Sequence, residues 1–301
     1  MKPPFLRPGD PIAVVAPSGV VERGRLAAGI AYLRSHGHPV LTGPHVGARD
    51  GYFAGRDAVR AGDLNAAIAD RRARAIFFAR GGYGLTRILD RIDLRGLVRR
   101  PRLLLGFSDA TALFMALQRR SPGLVQYGPL VSEMGDRREF DEESLWAALY
   151  GRREAFTIRF GSSDVLRPGT GRGRVLGGCL SLLVSLLGTR HDPDYRGAIL
   201  FWEEIGEEPY RIDRMLTQLR NAGKLEHLQG MVVGSLTGCA APAGKPSLHV
   251  RRILTDLAGR TRYPIVWNLR AGHTPGKLTL PLGIEATLSS RRRSLAYRLP
   301  V

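Results

Sequence analysis

Short, almost wholly apolar runs set the strongest constraint on this chain. Ile12–Ala16, Ala75–Phe78, Leu103–Phe107 and Leu124–Tyr127 read as strands. A strand that is apolar at successive positions, rather than at alternate ones, is buried on both faces, as in a parallel sheet covered on each side by helices. Helical patterns lie between these runs, at Arg23–His36, Asp57–Ala69, Thr86–Ile92, Asp109–Gln118 and Glu142–Tyr150. In the first of them Leu26, Ile30 and Leu33 share a face, and Gly37 follows where a helix-ending glycine belongs. Strand–helix alternation of this kind specifies an α/β chain.

Residues 1–150 are therefore expected to form a Rossmann- or flavodoxin-like domain with a parallel sheet. From 151 to 173 arginine, glycine, serine and proline dominate and the periodicity fades, which predicts a linker. Residues 174–301 read as a second, mixed α+β domain. Its helices are expected near Leu180–Leu187, Tyr210–Ala222 and Leu248–Leu257, and its strands near Ala198–Glu203, Met231–Gly234 and Pro264–Asn268. Antiparallel strands are expected over Lys277–Leu299.

The net charge of +18 invites a nucleic-acid reading. Only Lys2, Lys224, Lys245 and Lys277 are lysines, however, and the arginines are scattered without an interleaved aromatic patch. A general arginine bias accounts for the charge, so no nucleic-acid partner is expected. No apolar run is long enough to span a bilayer, and the proline-rich start does not resemble a secretory leader, so a cytoplasmic protein is expected. Cys179 and Cys239 sit among apolar residues and read as buried, reduced thiols. Six histidines, His36, His38, His45, His191, His227 and His249, lie at helix ends or in polar turns and read as solvated surface residues. No metal-ligand spacing is present, and neither a metal nor another cofactor is expected.

Four segments carry chemistry. In Gly106-Phe107-Ser108-Asp109-Ala110 a buried strand runs through a tight turn into a helix, the context of a nucleophile elbow, although a serine at a helix start is also an ordinary N-cap. In Arg80-Gly81-Gly82-Tyr83-Gly84 the glycines offer backbone N–H groups to an anion, or else simply permit close packing. Glu203 stands at the end of a buried strand, where an acid can orient a histidine, within a cluster that a salt-bridge network would also explain. His273, in the loop Asn268–Gly276, has the best setting of the seven histidines for a general base.

Taken in order, these segments resemble the LD-carboxypeptidase family, serine peptidases that include murein tetrapeptide carboxypeptidases and microcin-C self-immunity proteins. The opening Ile12–Gly19, the motif Gly177-Gly178-x-Leu180-Ser181 and Pro281-Leu282-Gly283 extend the resemblance over nearly the whole chain. It implies a Ser–Glu–His triad at Ser108, Glu203 and His273, and an oxyanion hole from the backbone of Gly82 (or Gly81) and Asp109. The implied site lies in the cleft between the two domains of a homodimeric, cofactor-free enzyme. The implied reaction is release of D-alanine from murein tetrapeptide during peptidoglycan recycling. Arg80, Gly81, Tyr83 and Arg270 flank the site and are candidates for substrate binding. Two positions depart from the family pattern: Tyr127 stands where histidine often precedes Gly-Pro, and Cys179 where asparagine often follows the paired glycines. Both are expected to bear on substrate preference rather than on the triad. The alternatives are an amidase acting on nucleotide–peptide conjugates, for which Gly188–Arg196 leaves little room, and a non-catalytic peptide-binding protein on the same fold.

Overall fold

The computed structural model describes residues 5–118, 125–151 and 156–298. The first sheet contains β1 (Ile12–Val15), β2 (Val40–Thr42), β3 (Ala75–Phe78), β4 (Leu103–Gly106) and β5 (Val125–Tyr127), all parallel, in the order β5-β4-β3-β1-β2. The strand order reverses between β1 and β3, as in flavodoxin-like sheets, and crevices form outside the carboxyl ends of strands at such a point. Both faces of β1 are covered. Ile12, Val14 and Ala16 join a cluster with Leu26 and Leu33 of α1 (Arg23–Ser35), whereas Ala13 and Val15 join Leu64 and Ile68 of α2 (Asp57–Ala69) on the other side. This two-sided burial is the physical reason for the apolar runs.

The rest of this half comprises α3 (Leu85–Ile88), α4 (Leu94–Arg99), α5 (Thr111–Gln118) and α6 (Glu142–Tyr150). The helix expected over Thr86–Ile92 is in fact α3 followed by a 3₁₀ turn at Leu89–Arg91. The chain then turns at Asp93, whose carboxylate caps α4 by accepting the Gly96 N–H at 2.8 Å. The sequence reading missed α4, six residues containing a glycine, and β2, a short edge strand without a buried run. Leu124, the expected start of β5, lies outside the described residues.

The second sheet has eight strands. They are β6 (Thr157–Arg159), β7 (Val165–Arg167), β8 (Thr170–Cys179), β9 (Ile199–Ile205), β10 (Gly230–Thr237), β11 (Ile265–Val266), β13 (Glu285–Ser289) and β14 (Ser294–Tyr297), in the order β6-β14-β13-β8-β9-β10-β11-β7. Its central strands β8 to β11 are parallel. The helices α7 (Leu180–Ser185), α8 (Pro209–Asn221) and α9 (Val250–Gly259) follow β8, β9 and β10. Of the segment 151–173, expected as a linker, residues 152–155 lie outside the described ones, and the remainder supplies β6, β7 and the start of β8. Its strands lie at the sheet margins or expose alternate residues, so they lack the continuous apolar signature.

The two sheets are not separate. β12 (Leu280–Leu282), late in the sequence, pairs antiparallel with β5 at the edge of the first sheet. The larger core cluster also runs through both halves, from Val15 and Leu104 to Phe201 and Leu254. At the junction α5 packs on β8 and α7. Gly178 (φ +150°) makes that approach possible, because a Cβ there would collide with Thr111. The Thr111 hydroxyl in turn accepts the Cys179 N–H at 3.0 Å. No helix among the described residues is long and apolar enough to cross a membrane.

Candidate active site

Ser108 sits where β4 ends. The next residues wind into a 3₁₀ turn (Ser108–Ala110) and continue as α5. Its φ of +62° is in the left-handed region, where a non-glycine residue costs of order 1–3 kcal/mol and therefore needs support from its surroundings. That is the geometry of a serine raised at a strand-to-helix elbow. Gly81 lies directly against it, since a Cβ on Gly81 would stand 3.2 Å from Ser108 Oγ.

Asp109 organises the loops around this elbow. It is wholly buried, and its Oδ2 accepts the Ser18 hydroxyl at 2.6 Å and the Leu85 N–H at 2.8 Å. The turn after β1 and the glycine loop after β3 are thereby tied to the nucleophile elbow. Burial pushes the Asp109 carboxyl above its ordinary pKa, and these hydrogen bonds work in the opposite direction. Beneath the same loops Arg60, also fully buried, binds the Pro17 and Gly55 carbonyls and the Asp57 carboxylate. Among the described residues neither the Gly82 nor the Asp109 N–H is used in a turn or cap hydrogen bond. The sequence reading gave Asp109 a backbone role only; its side-chain role was missed.

From the other sheet comes Glu203, 0% exposed near the end of β9. Its Oε2 accepts from His273 twice, at 2.7 Å from ring Nδ1 and at 3.1 Å from the backbone N–H. A carboxylate can only accept, which places the ring proton on Nδ1 and leaves the Nε2 lone pair free. The Phe107 ring meets the His273 ring edge to face, with centroids 4.8 Å apart, bringing the imidazole beside the residue preceding Ser108. No hydrogen bond joins Ser108 Oγ to His273 among the described residues. In ligand-free sites such contacts are often long and tighten only on the reaction path.

Gly272 makes the Glu203–His273 arrangement possible. Its φ is +100°, and a Cβ there would collide with the Glu203 carboxylate. Gly272→Ala should therefore displace the acid or the histidine loop. We expect a stability loss of about 2–4 kcal/mol, read as a lower melting temperature, together with a fall in turnover of at least tenfold. Wild-type values for both would refute this account of the glycine.

Tyr127, assigned by the sequence to substrate preference, is 1% exposed and faces the interior of the site. Its hydroxyl donates to Glu203 Oε1 at 2.7 Å and accepts the Ser108 N–H at 3.2 Å. Cys179, the other departure, is buried and directs its thiol to the Glu204 carboxylate at 3.4 Å; burial, then the charges of Glu203 and Glu204, raise its pKa. Lys277 was also missed. It is 2% exposed, reaches Glu133 at 3.1 Å, and its ammonium lies 5.3 Å from the centre of the Phe107 ring. Only three-dimensional closure brings it here, because in sequence it is one residue of a polar loop.

The flanking candidates fare differently. Arg80 is exposed and donates to the Val20 carbonyl. Tyr83 is half exposed and packs with Tyr52 and Phe53 at the rim of the glycine loop. Arg270 turns away to pair with Asp141 at 3.2 Å, in a groove lined by Ser144, Ile158, Phe160 and Leu278. Two histidines expected at the surface are buried. His38 stacks on Trp146 and bonds to the Asp10 carbonyl and the Tyr150 hydroxyl, both at 2.8 Å, and His191 bonds to Asp90 at 2.7 Å. Both ring nitrogens of His38 are thereby satisfied, and Nε2 of His191 is, which lowers the cost of burial.

Comparison with known proteins identifies the family. The family models described as LD-carboxypeptidase N-terminal domain and LD-carboxypeptidase C-terminal domain match residues 12–128 and 172–288. A putative carboxypeptidase of Streptomyces coelicolor is 39% identical, with 100% of this chain and 97% of that protein aligned. The crystal structure of a muramoyltetrapeptide carboxypeptidase from Oxalobacter formigenes superposes with a TM-score of 0.84 at 29% identity, covering 97% of this chain and 100% of that one. The wild-type apo structure of the microcin C7 self-immunity protein MccF shares the fold, with a TM-score of 0.87 at 22% identity over 100% of both chains. The elbow, the buried acid and the looped histidine thus occur in a chain that belongs to the LD-carboxypeptidase family.

Proposed function

We propose that this protein is a serine LD-carboxypeptidase that removes the terminal D-alanine from murein tetrapeptide, with Ser108 as nucleophile, His273 as general base and Glu203 as its orienting acid. One observation carries the reading. A fully buried carboxylate holds the His273 ring by Nδ1 at 2.7 Å, and that ring packs on Phe107, the residue before a serine in a left-handed elbow. Nothing about a packing role calls for that combination.

In the proposed reaction His273 Nε2 takes the Ser108 proton as the serine oxygen attacks the scissile amide carbonyl. Glu203 stabilises the imidazolium that forms. The Gly82 and Asp109 amides meet the oxyanion, and each such donor contributes about 10²–10³ in rate. The imidazolium then protonates the departing amino group of D-alanine, and water, activated by the same imidazole, hydrolyses the acyl-enzyme. The free carboxylate of the substrate meets a chain of net charge +18, which favours approach of an anion.

Mass spectrometry of the purified protein incubated with murein tetrapeptide tests the substrate. The expected products are the tripeptide and free alanine. Intact tetrapeptide, with Ser108 still labelled by a fluorophosphonate, would leave a serine hydrolase with a different substrate. An unlabelled Ser108 with no turnover would remove the hydrolase reading itself.

A further inference from the structure

We propose that Tyr127 is a positioning residue of this site, its phenol fixing Glu203 and the Ser108 backbone at once and so setting the basicity of His273. The inference rests on the assignment of Ser108, Glu203 and His273 made above, and it concerns a residue outside that set.

The polarity of the contacts is unambiguous. A phenol has one proton, and the amide N–H of Ser108 can only donate. The Tyr127 hydroxyl must therefore give its proton to Glu203 Oε1, at 2.7 Å, and receive the Ser108 N–H on a lone pair, at 3.2 Å. Burial, and then the charge of Glu203, push the phenol well above its ordinary pKa, so it stays a donor throughout the working range. The ring cannot swing away, because Phe107 and Phe201 pack against it edge-on, with centroids 6.0 and 5.3 Å distant. Tyr127 stands on β5 and Glu203 on β9, so this phenol joins the two sheets at the point where the elbow and the acid must keep register.

The consequence is electrostatic. With Oε1 occupied by Tyr127, Glu203 turns Oε2 to His273. Without the phenolic proton, Oε1 has no other donor among the described hydrogen bonds and no exposure to water. The carboxylate would then concentrate its charge on the imidazole and hold the imidazolium more firmly. Other ionisable groups surround the pair. Cys179 lies opposite Glu203 on β8 and Glu204 follows it on β9, while Lys277, with Glu133 and Glu139, stands over Phe107. These are unchanged by substitution at position 127, so a shift in His273 reports the phenol.

The test is Tyr127→Phe, read by the pH titration of the His273 ring carbons in NMR spectra and by the acid limb of the pH–kcat/KM profile. Both should move to higher pH, by about half a unit or more, and kcat should fall on the order of tenfold with KM little changed. A folded variant in which the titration stays at its wild-type position, whatever the loss of kcat, overturns the proposal and leaves Tyr127 a packing residue. If the phenylalanine variant does not fold, 3-fluorotyrosine placed at 127 carries the test. It keeps the shape and both hydrogen bonds but is a stronger donor, so the His273 titration should move to lower pH; no movement is again fatal. The titration needs no substrate. Failure of the carboxypeptidase reading would appear in the wild-type protein as absent turnover, whereas failure here appears as an unmoved titration in the variants.

Discussion

Ser108→Ala should fold like the parent chain and bind murein tetrapeptide with similar affinity, yet turn it over about 10⁴-fold more slowly or worse. The substitution removes only an oxygen. The left-handed elbow is supported from outside, by the Tyr127 hydroxyl on the Ser108 N–H and by the loops that Asp109 gathers, so the backbone at 108 has no reason to relax. The amides proposed to receive the oxyanion also remain. What disappears is the atom that forms the acyl-enzyme, and residual rate would come from water attacking a polarised carbonyl. Steady-state turnover together with a direct binding measurement separates these effects. Retention of more than about one per cent of kcat would mean that another group is the nucleophile.

Glu203→Gln should cost about 10³–10⁴ in kcat and about 1–3 kcal/mol in stability. The carboxylate accepts three hydrogen bonds, from Tyr127, from the His273 ring and from the His273 backbone. A carboxamide cannot reproduce them. If its NH2 faces Tyr127, the phenol must turn its proton away and accept from both Ser108 and the amide. If it faces His273, it opposes a backbone N–H and forces the ring to the other tautomer, with the proton on Nε2 where the base is needed. Either orientation leaves a buried donor or acceptor unsatisfied. Turnover and melting temperature measure the two effects separately. A loss in kcat of less than tenfold would reduce Glu203 to a structural acid.

The architecture was legible wherever burial is two-sided. Ala75–Phe78, Asp57–Ala69 and Glu142–Tyr150 lie where the apolar runs and helical faces indicate, because in those segments packing and local preference agree. Edge and margin elements were not legible. β2, β6 and β7 bury too little to leave a pattern, and three strands begin within the stretch that reads as a linker. The same division holds at the candidate site. Ser108, Glu203 and His273 each stand next to a strand end or glycine turn, a local mark that can be read in the chain. Tyr127, Lys277 and the side chain of Asp109 act through partners 76, 144 and 91 positions away, and nothing in their immediate neighbours announces it. Tyr127 in particular looks like the last residue of an ordinary buried strand. Only the closure of one sheet on the other shows that its hydroxyl is committed at both ends.

β12 lies a few residues beyond His273, yet it completes the border of the sheet that presents Ser108. The histidine is thus carried on a span moored at both ends, from β11 in one layer to β12 in the other. Chimeras that exchange halves between relatives must cut around this border strand, not simply near the middle of the chain. If the crossover omits it, the amino-terminal portion keeps an open, adhesive margin at β5 and the imidazole loses one of its moorings.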